Sequence, residues 1–122
     1  MKFRRTLLAV AGITALLGSV ASIAGDADFT LVNKTGYTIR EIYISPASKG
    51  HWGHDRMGNN NLDNNKSRLF KFSDKASCDQ DLKVVFADSD AEVTWENVDL
   101  CEINKISIKY NRATKTVSAE TE

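Results

Sequence analysis

One proline in 122 residues, two cysteines and two histidines leave little from which to assemble most kinds of active centre. There is no Cys-x-x-Cys, which removes the dithiol redox motif and the paired-cysteine zinc site. No Gly-x-Ser-x-Gly stands between a strand and a helix to raise a nucleophile, and no glycine-rich loop could cradle phosphates. Paired carboxylates for glycosidic chemistry need a cleft that a domain of this size has little room to build. The expectation is a protein that is not an enzyme and uses no cofactor. An excess of basic charge is missing too: Lys plus Arg and Asp plus Glu each number 16.

What is present begins at the N-terminus. Lys2, Arg4 and Arg5 precede an uncharged stretch from Thr6 to Gly25, within which Leu7–Leu17 forms an apolar centre of signal-peptide length. Ser22 and Ala24 stand three residues and one residue before a cut, where a signal peptidase needs short side chains. Residues 1–24 are therefore read as a cleavable secretory signal of bacterial character, and residues 25–122 as a single domain. The uncharged stretch approaches the length of a spanning helix. Its second half is nevertheless rich in Gly, Ser and Ala, so no stable membrane insertion is expected after cleavage. A periplasmic or secreted location follows.

Removing the signal takes three basic residues with it and leaves 13 basic against 16 acidic ones. A mildly acidic domain offers nucleic acid no electrostatic footprint. In an oxidising compartment Cys78 and Cys101 are expected to pair, closing a loop of 22 intervening residues. A disulfide of that span contributes about 3 kcal/mol in the chain-entropy model.

Along the domain, apolar residues recur with period two far more often than 3.6. Phe29 and Leu31 alternate with polar neighbours, Asn33-Lys-Thr-Gly36 is a turn signal, and Tyr37–Ser45 is dense in β-branched and aromatic residues. Residues 28–45 are thus read as a β-hairpin, with a bulge near Arg40–Glu41 where the alternation slips. Further strands are expected over Lys66–Phe72, Asp81–Ala87, Ala91–Asn97, Ile103–Tyr110 and Thr114–Ser118. Asp88-Ser-Asp90 is the turn between two of them, residues 97–102 hold at most one helical turn, and the polar tail frays. Seven short strands with one disulfide suggest an all-β fold, a small antiparallel β-sandwich.

Between Pro46 and Asn65 lies a long polar connection, and long connections in compact domains are often functional. At its centre stands His51-Trp52-Gly53-His54-Asp55. His51 and His54 could ligate Zn, Cu or Ni with a neighbouring carboxylate, although a closed zinc site needs four protein ligands. Trp52 can equally anchor an interface or cap the sandwich edge. Asp79, Asp81, Asp88, Asp90 and Asp99 could gather calcium oxygens, but Asp in turns has an ordinary backbone-capping reason. Asn33-Lys-Thr35 and Asn65-Lys-Ser67 have the form of glycosylation sequons and are read as turns.

Phe29-Thr-Leu-Val-Asn-Lys-Thr-Gly-Tyr-Thr-Ile39, Tyr43-Ile-Ser-Pro46, Trp52-Gly53, Leu82-Lys-Val-Val-Phe86 and Val98-Asp-Leu-Cys101 together resemble a group of small exported bacterial proteins of unknown function. The resemblance spans roughly residues 28–108 and implies a disulfide-bearing periplasmic β-domain without assigned chemistry. The functional expectation is a binding module for a partner protein, with His51, Trp52, His54 and Asp55 at its surface. One variant is an inhibitor or immunity-type protein that plugs a partner's cleft. The alternative is a periplasmic metal-binding protein using His51 and His54.

Overall fold

The computed structural model describes residues 26–122; the signal expected over residues 1–24 lies outside the described residues. Seven strands make two sheets. They are β1 (Phe29–Lys34), β2 (Ile39–Pro46), β3 (Ser67–Phe70), β4 (Asp79–Phe86), β5 (Glu92–Asp99), β6 (Lys105–Asn111) and β7 (Thr116–Thr121). One sheet has the order β3-β1-β6-β7 and the other β2-β4-β5. The expected β-sandwich is there, tied by the Cys78–Cys101 disulfide. One pairing departs from the antiparallel expectation, because β1 and β6 run parallel. A parallel neighbour requires a crossover, and the chain makes it through the second sheet.

The core follows the alternation. Phe29, Leu31, Phe70, Ile106 and Ile108 face Ile39, Ile42, Ile44, Leu82, Val84 and Phe86, and all are buried. Each such side chain contributes about 1.5–3 kcal/mol when withdrawn from water. The expected bulge falls between Ile39 and Glu41. It lets Ile39 point inward together with Ile42 and Ile44, which strict alternation would forbid.

Residues 28–45 do not form a hairpin. β1 pairs with β3 and β6, while β2 pairs with β4 in the opposite sheet. The turn at Thr35–Gly36 carries the chain across the sandwich, and the reason is the buried Asn33 side chain. Its Nδ2 donates to the carbonyls of Tyr37 (2.7 Å) and Leu62 (2.8 Å), and its Oδ1 accepts from Thr35 N (3.0 Å) and Thr35 Oγ1 (2.7 Å). Those bonds fold the corner over a strand-like segment at Leu62 rather than back onto β1. Gly36, at φ +88°, supplies the left-handed residue the corner needs.

The tail also differs from expectation. β7 runs to Thr121, and Glu122 exchanges backbone hydrogen bonds with Lys105 (2.9 and 3.1 Å). Ion pairs Lys109–Glu120 (2.8 Å) and Lys105–Glu122 (3.2 Å) join the two strands, so polar composition here marks an exposed face of a strand. Residues 100–102 form the single 3₁₀ turn expected, with Asp99 Oδ1 accepting from Cys101 N (3.1 Å).

Candidate functional site

The 46–65 connection is a built structure. The free edge of β2 is covered by it: Ile39 and Leu62 exchange backbone hydrogen bonds (3.0 and 2.8 Å), and Arg56 N donates to Ile42 O (2.7 Å). Asp55 lies at the middle of this strap, where its Oδ1 accepts from Ile42 N (3.0 Å) and Met57 N (2.9 Å). Met57 and Leu62 then drop into the core, 2% and 4% exposed. An uncovered strand edge is a template for unwanted pairing, and the strap removes it. Asp55, expected among surface contacts, is therefore a backbone anchor.

Trp52 packs against β2, the edge strand of the three-stranded sheet. Ser45 Oγ donates to His51 O (2.6 Å), which brings the chain onto the outer face of the three-stranded sheet. There the Trp52 ring lies 6.5 Å from that of Tyr43, tilted by 59°. Lys83 from the neighbouring strand reaches both rings, its Nζ 4.7 Å from the Tyr43 centroid and 5.1 Å from that of Trp52. Gly50 and Gly53, at φ +79° and +77°, flank the two residues and permit the tight path. Both have open space where a Cβ would stand, so the backbone conformation alone asks for glycine.

The cluster is extended by polar bonds along β2. Tyr43 donates to Glu41 Oε1 (2.7 Å), and Arg40 Nε donates to Glu41 Oε2 (3.0 Å). Arg40 Nη1 also binds Asp90 in the β4–β5 turn, and Lys83 pairs with Glu92 at 3.9 Å. The bond to Glu41 holds the Tyr43 phenol in its neutral form, pushed up to about 12. The same bond, with Arg40 beside it, holds the Glu41 carboxyl below the ordinary carboxylate range. Arg40 rises in turn through its bonds to Asp90 and Glu41. Such a chain fixes side chains that would otherwise rotate freely and so lowers the entropy cost of contact.

His51 and His54, on either side of Trp52 in the chain, are both exposed. Among the described residues, the one trio of His, Cys, Asp or Glu with donor atoms mutually within 4.8 Å is Cys78, Asp99 and Cys101. Both sulfurs are committed to the disulfide, and Asp99 caps Cys101. The two imidazoles are thus not gathered with a third ligand of that kind, and one of the Asp55 carboxylate oxygens, Oδ1, is occupied by amides.

Tyr43, Lys83, Glu41 and Arg40 were not among the sequence candidates. Tyr43 stands four residues from Ile39, so strict alternation puts the two on one face, which the bulge reverses. Lys83 alternates between Leu82 and Val84 like any outward strand residue. The signal that could have found them is the bulge itself, which fixes the outer face of β2 as Glu41, Tyr43 and Ser45. No protein-family model matches this chain, and no curated protein or solved structure is detectably similar to it.

Proposed function

We propose that this chain is an exported, non-catalytic binding module that engages a partner protein through the outer face of its three-stranded sheet. Trp52 and Tyr43 would be the anchors, with His51 and His54 at the rim. The observation that carries this reading is the Tyr43–Lys83–Trp52 cluster, two aromatic rings held on one cation at the surface. Tyrosine and tryptophan dominate the energetics of protein interfaces, and rings already fixed bind at lower entropy cost. Asp55 supports the same surface from behind by pinning the strap from which Trp52 projects. The disulfide, and the absence among the described residues of a helix long and apolar enough to cross a membrane, fit export.

The test compares the exported protein with Trp52→Ala and Tyr43→Ala as immobilised baits. A partner held by wild type should be lost about 30-fold or more by either variant, as hot-spot truncation predicts. Equal recovery of every partner by all three would remove this face as the contact surface. Intact mass of the exported chain tests the location separately: retention of Met1 would contradict cleavage.

A further inference from the structure

The strap closes only one side of the sandwich. Between β2 and β3, Met57 and Leu62 fill the space and the Arg56 guanidinium lies 5.2 Å from the Phe72 ring centroid. On the other side, β5 and β7 are the outermost strands of their sheets, and no strand pairs across them among the described residues. A cleft of about 310 Å³ opens there, at the end where the β4–β5 and β6–β7 hairpins turn. Its walls are Phe86, Val93, Val117, Tyr37 and Tyr110, with Asp88 at its mouth. Packed sheets ordinarily stand about 10 Å apart, a gap that small side chains such as Val93 and Val117 do not span. The volume is at the lower end of what small-molecule sites offer.

The polar groups around this cleft are unevenly committed. Of the two aspartates in the β4–β5 turn, Asp90 is bonded to Arg40, whereas the Asp88 carboxylate has no hydrogen bond or ion pair with a described residue. Tyr37 and Tyr110 pack edge to face, centroids 5.7 Å apart at 74°. Tyr43 spends its hydroxyl on Glu41, but neither of these tyrosines donates its hydroxyl to a described residue. Among the described residues no lysine or arginine lines the cleft. Two cations stand close by: Arg112, stacked 5.9 Å from the Tyr37 centroid, and Arg40, held on Asp90.

We infer that this cleft binds a small organic ammonium: an aromatic or branched apolar body among Phe86, Val93, Val117 and the two tyrosines, its cationic nitrogen on Asp88. The walls supply the apolar burial. The Tyr110 ring and the carboxylate supply attraction for positive charge, since an aromatic face draws a cation through its quadrupole, as the Arg112 guanidinium over Tyr37 already does. An anion would meet the Asp88 carboxylate at the mouth and would have to draw Arg112 away from Tyr37.

Three probes of one shape separate these cases: 2-phenylethylamine, 2-phenylethanol and phenylacetate, each titrated into the exported protein and followed by NMR. The amine should shift the Val93 and Val117 methyls and the Tyr37 and Tyr110 ring signals saturably, at least fivefold more tightly than the other two. Asp88→Asn, at an exposed turn, should reduce the amine to the affinity of the alcohol. Val117→Phe should fill the cleft and abolish binding of all three. Should that variant fold poorly, Asp88→Asn alone decides the outcome. The proposal is overturned if no probe shifts these four residues up to about 10 mM. It is equally overturned if the alcohol binds as well as the amine, or if phenylacetate binds best, which would hand the site to Arg112.

Discussion

Asn33 is the residue on which the corner between the two sheets depends, and replacing it tests the whole account of the crossover. The side chain is fully buried, and its four hydrogen bonds use both amide hydrogens and both acceptor positions. In Asn33→Ala all four are lost, at a net value of about 1 kcal/mol each. The loss is partly cushioned. Leu62 O still accepts from Ile39 N (3.0 Å), and Tyr37 O remains within reach of Thr35 Oγ1 (3.1 Å). Thr35 N, in a buried residue, is left without its acceptor. The expected cost is therefore about 3 kcal/mol.

For a domain near 100 residues this lowers the melting temperature by roughly 15 °C. Equilibrium urea unfolding measures it directly, with Thr35→Val as the graded control. That variant keeps the amide–Asn33 bond but removes a hydroxyl that donates to Asn33 Oδ1 (2.7 Å) and accepts from Tyr37 N (3.1 Å), so it should cost about 2 kcal/mol. Asn33→Asp should be worse than Asn33→Ala at neutral pH, because a carboxylate oxygen would face two carbonyls in a buried site. If Asn33→Ala lies within 1 kcal/mol of wild type, about the worth of a single hydrogen bond, then the corner is set by packing and not by Asn33.

Asp55→Ala should cost about 2 kcal/mol through its two lost amide bonds. It should also loosen the strap, so that size-exclusion chromatography shows association that grows with concentration as the β2 edge is bared. Replacing Cys78 and Cys101 together with alanine should remove about 3 kcal/mol from urea-unfolding stability, the loop-closure value for the 23-residue separation. Tyr43 should ionise late, at about 12 rather than 10, and phenolate absorbance should show one late-titrating tyrosine that Tyr43→Phe abolishes. Between those values the unfolded chain has already released a proton that the folded chain keeps, so stability falls as pH rises through that window. At the acid end the sign reverses for Glu41: its contribution is present above the ordinary carboxylate range and disappears as pH falls through its depressed value.

The strands of this fold are legible because alternation is a local property. Leu82, Val84 and Phe86 read as one face and are buried together, as do Ile106 and Ile108. Sheet membership is not local, and the first two strands show why. A short turn with a glycine at positive φ can return the chain along its own sheet or carry it across to the next. Asn33 decides between these through a partner, Leu62, that lies 29 residues away. The candidate site divides in the same manner. Trp52 is conspicuous in a polar segment, and the sequence marks it. Asp55, beside it and equally polar, turns out to bind the β2 backbone, and Lys83 reaches Trp52 only because β2 and β4 are neighbours.

The two surfaces proposed as functional share one polar chain. Tyr43 binds Glu41, Glu41 binds Arg40, and Arg40 binds Asp90, two residues from the free carboxylate at the mouth of the cleft. The β2 bulge is what makes this chain possible, since it displaces Arg40 from the regular ladder between Ile39 and Glu41. Asp90 sits in the left-handed region at φ +59°, a conformation that costs a non-glycine residue about 1 kcal/mol or more. Its bonds to Arg40 and from its own N–H to Phe86 O (3.0 Å) hold it there. The order of the β4–β5 turn, and with it the position of Asp88, therefore rests partly on the same arginine that braces the Tyr43–Glu41 pair. A ligand that stiffens the turn and a partner that grips Tyr43 would act on one set of bonds, and coupling between them requires no larger movement than the loss or gain of the Arg40–Asp90 contact.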